Sequence, residues 1–297
     1  MKDRARPRRS LLSWLFVLLV VVAILVVVNG SIRRTARPRV GDFLSTNTGT
    51  YDSHARASFR IALLNARSGR GGDGRVDLRR TASLLQSFDV IGLNEVRGRL
   101  FGSPANQAEE IARLLRSPWM FAPSERRFWH DSFGNALLSH VPVHFYQVIN
   151  LPSTQWAGDR NVLLAKISLE TGTLNLLITH LDRTNDRPIQ FRAVKELFLA
   201  LEPPAILMGD LNTTAGDVLM KELLQTAGVS DVIGDTDGVA AKERVDWILI
   251  RGMEVLEAGA VESDASDHPM VWAHLTIAPV PLERPSTTKP AKSPRRD

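Results

Sequence analysis

Cysteine is missing from all 297 positions of the chain, so a disulfide framework, a thiolate zinc site and a thiol nucleophile are excluded together. The absence fits either side of a membrane and selects no compartment. Tyrosine is nearly absent too, occurring only at Tyr51 and Tyr146. Basic residues are outnumbered by acidic ones in the body of the chain, although the formal net charge is +5. Residues 1–39 carry nine Lys/Arg and one acid, and residues 281–297 carry five Lys/Arg and two acids. Taking these from the totals of 37 and 32 leaves 23 basic against 29 acidic residues, so residues 40–280 are about six charges negative. A nucleic acid partner would need a local basic face to overcome that balance. Arg67, Arg70, Arg75, Arg97 and Arg99 read as solvated surface ahead of a phosphate-tracking groove.

One long apolar run interrupts a composition otherwise typical of globular proteins. Residues 11–28 are eighteen positions of which only Ser13 is polar, long enough to cross a hydrocarbon core as a helix. Lys2, Arg4, Arg6, Arg8 and Arg9 precede it. This pattern predicts a basic cytoplasmic flank at 1–10 and a transmembrane signal-anchor at 11–29, with the bulk of the chain on the periplasmic or extracellular side. Arg33, Arg34, Arg37 and Arg39 follow the run, so the charge bias is five against four. A cleaved signal peptide with Gly30 near its cleavage site is the alternative, and the length of the run favours retention. Residues 30–57, polar and without an apolar period, read as a linker. The Pro-, Ser-, Thr- and Lys-rich residues 280–297 read as a disordered basic tail.

Between them, residues 58–279 read as the folded domain. Apolar runs with strand character lie at 59–66, 89–95, 135–139, 162–169, 173–180, 205–211 and 245–250. Helical spacing predicts helices at 77–87, 106–116, 188–201 and 217–227, with Pro188 suited to a first turn. Many short strands with singly inserted helices predict one α/β domain of two packed sheets flanked by helices.

Polar residues able to hold a metal or a proton recur where these strands end. Asn65, Glu95, His180, Asp210 and Asn212 close strands, Asp246 opens one, and Asp267 with His268 stands just before another. Each alone has an ordinary explanation: asparagines cap turns, a carboxylate is the first exposed residue of a strand, a histidine sits satisfied in a core. Together they would require six independent coincidences of type and placement, whereas a rigid scaffold that aims strand ends at one edge explains them at once.

The succession LLNARSG, GDGRVDLRRTASLLQSFDVIGLNEV, GNALLSHVPV, THLD, MGDLN, RVDWIL and SDHPMV resembles the ordered motifs of the endonuclease/exonuclease/phosphatase superfamily. The resemblance runs from about Phe59 to about Leu275. It implies a four-layer α-β-β-α sandwich with the site at one edge of the paired sheets. It implies metal binding by Asn65, Glu95 and Asp267, whose oxygen donors suit Mg²⁺ or Mn²⁺. It makes His268 the group that activates water and Asp246 the carboxylate that orients it. Asp210 and Asn212 would align the nucleophile and hold the phosphate, and His180 would contact the phosphate or assist the leaving oxygen. The chain departs from the family pattern at Asn94, where glutamine is usual and the shorter amide is expected to support Glu95, and at His140, where arginine is frequent and no catalytic role follows. Neither tyrosine matches the tyrosine motif of exonuclease III-like repair enzymes.

The expected activity is metal-assisted hydrolysis of a phosphodiester or phosphomonoester, on nucleic acid, a phospholipid headgroup or a small phosphoester, at the membrane that holds the anchor. No protein partner is expected. The competing class is a membrane-tethered binding protein that kept the scaffold and lost the reaction.

Overall fold

A computed structural model describes residues 11–277 except 33, 42–43, 47–48, 52–56, 100–104, 128–129, 155–158, 171 and 235–242. The expected basic flank 1–10 and the whole of the expected tail 280–297 lie outside the described residues. Helix α1 (Leu11–Ser31) is followed by strands β1 (Arg34–Thr35), β2 (Arg39–Gly41) and β3 (Ser58–Asn65), then α2 (Leu78–Leu85), β4 (Val90–Arg97) and α3 (Gln107–Leu115). Next come β5 (Trp119–Arg127), β6 (His130–Ser139), β7 (Val143–Asn150), β8 (Asn161–Leu169), β9 (Gly172–His180), α4 (Arg187–Ala200) and β10 (Ala205–Asp210). The chain continues through α5 (Val218–Leu224), β11 (Ser230–Asp231), β12 (Asp246–Arg251), β13 (Met253–Val261) and β14 (Met270–Ile277).

These strands build two mixed seven-stranded sheets, ordered β1-β5-β6-β4-β3-β14-β13 and β11-β12-β10-β9-β8-β7-β2. Apolar side chains form three layers. Ile61, Leu63, Val90, Leu137, Leu163, Ile178, Ile206, Met208, Ile248 and Val271 fill the space between the sheets. Ala62, Leu64, Ile91 and Leu93 pack outward with Leu85 of α2 and Ile111 of α3. Leu177, Leu207 and Trp247 pack outward with Phe191, Val194 and Phe198 of α4 and Met220 and Leu223 of α5. The result is the expected four-layer sandwich, which covers both faces of both sheets. Helices α2, α3 and α5 begin where short polar side chains satisfy their first free amides: Asp77 accepts from Arg79 N–H, Asn106 from Glu109 N–H and Asp217 from Leu219 N–H.

Strand side chains alternate between faces, so residues of one parity share the inner layer. Ile61 and Leu63 point inward, and so does Asn65. Leu176 and Ile178 lead to His180, Ile206 and Met208 lead to Asp210, and Ile250 and Ile248 lead back to Asp246. Four inward rows that are apolar along their length therefore end in a polar residue at the same edge.

α1 packs differently from the other helices. Over Leu11–Gly30 its mean hydropathy is 3.3, and its apolar side chains are exposed all round. Such a helix is long and apolar enough to span a membrane, a property that an N-terminal signal sequence shares. The segment expected to be a free linker is in part bound to the domain. Arg34 and Thr35 pair with Arg126 and Glu125 of β5, while Arg39, Val40 and Gly41 pair with Val148, Gln147 and Tyr146 of β7. Between them, buried Ala36 donates its N–H to Ser124 C=O of one sheet at 2.9 Å and accepts from Asn150 Nδ2 of the other at 3.1 Å. Backbone pairing needs no apolar period, which is why composition alone reads this strap as a linker.

Gly209 shows how tightly β10 is held. Its φ is +155°, and a Cβ there would lie 1.8 Å from Thr179 O of β9. Gly209→Ala is expected to destabilise the protein by more than about 3 kcal/mol, because strain and backbone overlap add. Gly216→Ala, whose Cβ would meet nothing nearer than 3.8 Å, is expected to stay within about 1 kcal/mol of the parent. Urea unfolding of the detergent-solubilised chain, followed by circular dichroism, measures both; equal midpoints would contradict this account of β10.

Candidate active site

Polar side chains buried at the end of an apolar core must find partners, and here they find one another. Asp210, only 2% exposed, is fixed on every side. Its Oδ2 accepts from Asn65 Nδ2 at 3.0 Å and its Oδ1 from Asn212 N–H at 3.0 Å. Its backbone N–H donates to Asn94 Oδ1 at 2.8 Å and its carbonyl accepts from Leu181 N–H at 3.0 Å. Asn94 Nδ2 donates to Asn135 Oδ1 at 2.7 Å and to Thr179 O at 3.0 Å. Asn135 Nδ2 then donates to Asn161 Oδ1 at 3.0 Å, and Asn161 Nδ2 to Pro123 O at 2.7 Å. Asn94, Asn135 and Asn161 thus form an amide chain that crosses between the sheets beneath the site. The hydrogen bonds of Asn94 go to the Asp210 backbone, Asn135 and Thr179 rather than to Glu95, so the shorter amide fixes the end of β10 instead of supporting the Glu95 carboxylate as expected.

The loop carrying Asp267 and His268 docks on the end of β3. Ser266 Oγ donates to Asn65 O at 2.6 Å and accepts from His268 N–H at 3.2 Å. This brings His268 Nδ1 to 2.7 Å from Asp246 Oδ2. That hydrogen bond, reinforced by the charges of Asp246, Asp210 and Asp267, raises the His268 pKa from 6.5 to about 9 against the opposing effect of burial. Burial, and next the charge of Asp246, raise the Asp210 pKa from 3.8 to about 6. Ligand atoms of Asp210, Asp246 and His268 all lie within 4.8 Å of one another. Asp267 faces outward and is held by Arg67 Nε at 3.1 Å.

His180 Nε2 stands 3.5 Å from Asp210 Oδ2, a contact that favours the imidazolium. Burial outweighs it: with Arg160, His268 and Arg183 adding positive charge nearby, the His180 pKa falls well below its usual value and the ring is neutral. Its buried Nδ1 has no hydrogen-bond partner. Asn212, at φ +46°, turns its side chain back to Leu181 O at 2.9 Å, while its own carbonyl accepts from Arg187 Nη1 at 2.7 Å. Asn212 therefore buttresses the β9 and β10 loops, with its backbone rather than its side chain on Asp210.

Glu95 owes its position to a bulge. Between Leu93 and Val96 the pairing of β4 with β6 slips, and Glu95 adopts φ +55°. Asn94 keeps the inward parity and Val96 returns to the outer layer, so the extra residue is aimed at the rim of the cleft. Glu95, Asp182, Asp210 and Glu125 surround Arg160, whose guanidinium pKa burial lowers and these carboxylates raise again. Buried Arg160 Nε has no hydrogen-bond partner.

Asn65, Asp210, Asp246 and His268 are thus linked by direct contacts, Asp267 is attached to them through the 266–268 loop, and Glu95 and His180 border the same space. Arg160, Asn135 and Asn161 were missed by sequence reasoning. Asn135 lies inside the GNALLSH motif, and Asn161 follows Arg160 at the start of a long apolar run, so a search for polar residues at strand starts would have found them.

The Endonuclease/Exonuclease/phosphatase family profile matches residues 62–268. No curated protein sequence matches the chain significantly. Among solved structures, an endonuclease/exonuclease/phosphatase from Beutenbergia cavernae superposes with a TM-score of 0.63 at 23% identity over 75% of this chain and 72% of that one. A D. rerio TDP2 in complex with a single-strand DNA product gives 0.56 at 19% identity over 74% and 100%. A mannosyl-6-phosphatase from Bacteroides thetaiotaomicron gives 0.53 at 18% identity over 74% and 100%. With two packed sheets, a carboxylate-histidine edge and a profile match spanning more than half its length, the chain belongs to the endonuclease/exonuclease/phosphatase family, whose members are generally hydrolases of phosphoesters.

Proposed function

We propose that the chain is a membrane-anchored phosphoesterase in which His268, held by Asp246, takes the proton from the water that attacks phosphorus. The observation that carries this reading is the 2.7 Å hydrogen bond between His268 Nδ1 and Asp246 beside the buried Asp210. That bond fixes the tautomer with Nδ1–H donating and leaves Nε2 for the water. It also strengthens the base, the direction that proton abstraction requires; positive charge held on nearby carboxylates brings the value back toward neutrality. Neutral His180 is suited to donate to a phosphate oxygen, and cationic Arg160 to draw the anionic group toward the cleft.

The donor set fits a hard divalent cation such as Mg²⁺ or Mn²⁺. Asp210, Asp246, Glu95 and Asp267 place four carboxylates around one edge, and burial, then the charge of Asp246, raises the Asp210 pKa, a cost that a cation there would relieve. Asn65, Glu95 and Asp267 would hold the ion, since Asp246 and His268 are already committed to each other. When bound it would polarise a phosphoryl oxygen and neutralise charge gathering there.

The anchor is α1 of residues 11–29, with the domain on the periplasmic or extracellular side, residues 1–10 as its cytoplasmic flank and residues 280–297 as a basic tail. A nuclease is the second reading, motivated by the likeness to the DNA-bound TDP2 structure. The acidic balance of residues 40–280 weighs against it.

Hydrolysis of bis-p-nitrophenyl phosphate by the full chain tests the proposal. Activity is expected with Mg²⁺ or Mn²⁺, to be lost with EDTA and in Glu95→Ala, and to fall by about 10² to 10⁴-fold in His268→Ala. An inert wild-type protein would identify a binding protein instead, and a His268→Ala variant as active as its parent would overturn the role given to His268. DNA left intact while other esters are cleaved would remove the nuclease reading.

The metal-free protein offers a test of the dyad itself. A folded pKa of about 9 against an ordinary value of 6.5 means that the pair stabilises the fold fully below pH 6.5 and loses this contribution as pH rises through about 9. In EDTA, NMR titration of the His268 ring is expected to show a midpoint near 9 in the parent, with Asp246→Asn returning it toward 6.5. A parent midpoint at or below 6.5 would be incompatible with the assigned geometry.

A further inference from the structure

Resting on the phosphoesterase reading and on retention of α1, we infer that the catalytic edge faces the membrane in which the chain is anchored, and that the substrate is the phosphoester headgroup of a lipid in that membrane. The inference follows from where the strap is sewn. β3 and β4 are parallel, and their C-terminal ends carry Asn65 and Glu95. β6 runs opposite to β4, with Phe133 beside Arg97, and β5 runs opposite to β6, with Arg126 beside Asp131. The end of β5 that pairs with Arg34 and Thr35 is therefore level with the catalytic edge.

Only Ile32 and Arg33 separate the end of α1 from Arg34. Three Cα steps reach roughly 10 Å at most. Asn29 of α1 also accepts a hydrogen bond from the Arg34 guanidinium, which ties the helix end to the strap. Three strand spacings separate β1 from β4, a lateral distance of roughly 15 Å. A bilayer holding α1 thus lies beside the cleft, whereas the opposite end of the sandwich, at the Glu170 turn between β8 and β9, is a full strand length farther away.

The surface at this end suits a phosphate-bearing interface. The domain is acidic as a whole, yet exposed Arg34, Arg37 and Arg39 stand on the strap, with Arg39 also bonded to Asp131. Ile32 and Val40 expose apolar side chains on the same segment, 47% and 63% exposed. At the same edge of the sheet a cavity of about 230 Å³ is lined by Arg97, Arg127 and Arg160 together with Glu125, Asp159, Ser132 and Phe133. Phe133 stands 6.5 Å from the His180 ring and Arg160 is within the field of Asp210, so this cavity adjoins the site. A headgroup entering from the bilayer would find guanidinium groups for its phosphate before reaching His268. In the reaction the water oxygen bonds to phosphorus, the phosphorus–oxygen ester bond breaks, and the leaving oxygen takes up a proton.

The test uses the full chain reconstituted into vesicles of phosphatidylcholine, phosphatidylethanolamine and phosphatidylglycerol, assayed for phosphate or headgroup release and, in parallel, for hydrolysis of soluble bis-p-nitrophenyl phosphate. A helical spacer of about twenty residues, Glu-Ala-Ala-Ala-Lys repeats placed between Ile32 and Arg33, lifts the domain by about 30 Å. Lipid turnover is expected to fall at least about tenfold, with soluble-ester turnover unchanged within about twofold. Soluble-ester turnover without lipid turnover, or lipid turnover indifferent to the spacer, would overturn the inference and leave the phosphoesterase reading standing. Loss of ester turnover in the parent would overturn both. Because the chain has no cysteine, a second measurement does not depend on the spacer variant folding. Asn185→Cys, on the catalytic-edge loop, and Glu170→Cys, at the far end, each carry an environment-sensitive fluorophore. Quenching by spin-labelled lipid is expected at position 185 and not at 170; equal or reversed quenching would refute the orientation.

Discussion

The structure depends on satisfying polar groups at the end of a closed apolar layer. Two sheets packed face to face exclude water along their length, and the inward rows still have to stop somewhere. In this chain they stop in Asn65, His180, Asp210 and Asp246, which would be costly to bury if left unpaired. The amides of Asn94, Asn135 and Asn161 offset much of that cost from below by linking the sheets, and the 266–268 loop offsets more from above, while His180 Nδ1 and Asp246 Oδ1 stay unpaired. The same hydrogen bonds that make burial tolerable hold the side chains in one geometry, so fold stability and site preorganisation share a cause.

This arrangement separates two kinds of carboxylate. Asp210 and Asp246 are inside, fixed by several donors or by His268, and their proximity shifts the protonation of both Asp210 and His268. Glu95 and Asp267 stand at the rim, one on a bulge and one on a loop, where they can exchange partners. On the proposed reading the inner pair tunes a proton and the outer pair receives a cation and a substrate, a division that their difference in burial favours. Arg160 lies on the boundary between them, beside carboxylates of both kinds.

The strap adds a constraint of another sort. By bonding to one sheet through β1 and to the other through β2, it closes the open flank of the sandwich and fixes the exit point of the chain toward α1. The C-terminal end of the N-terminal helix is therefore held near the edge that carries Asn65 and Glu95.

Much of this was legible beforehand. The strands with β-branched or leucine-rich runs, such as 59–66, 162–169 and 205–211, and the four amphipathic helices were found from period and capping residues within a few positions of their ends. β5, with Pro123 and a charged second half, and β7, with its mixed VHFYQVIN, were not found, because pairing with β6 and β8 holds them rather than any pattern of their own. By itself the sequence determined the identity of the polar strand ends, the apolar N-terminal helix and the acidic balance of the domain, since residue type and periodicity are local properties. Only the tertiary structure decided that Asn94 serves Asp210 rather than Glu95, that Arg160 enters the site, and that the presumed linker is part of both sheets. The first and last rest on hydrogen bonds between residues far apart in the chain and the second on distant carboxylates gathered around one guanidinium, and such partners are chosen by packing, which no local pattern encodes.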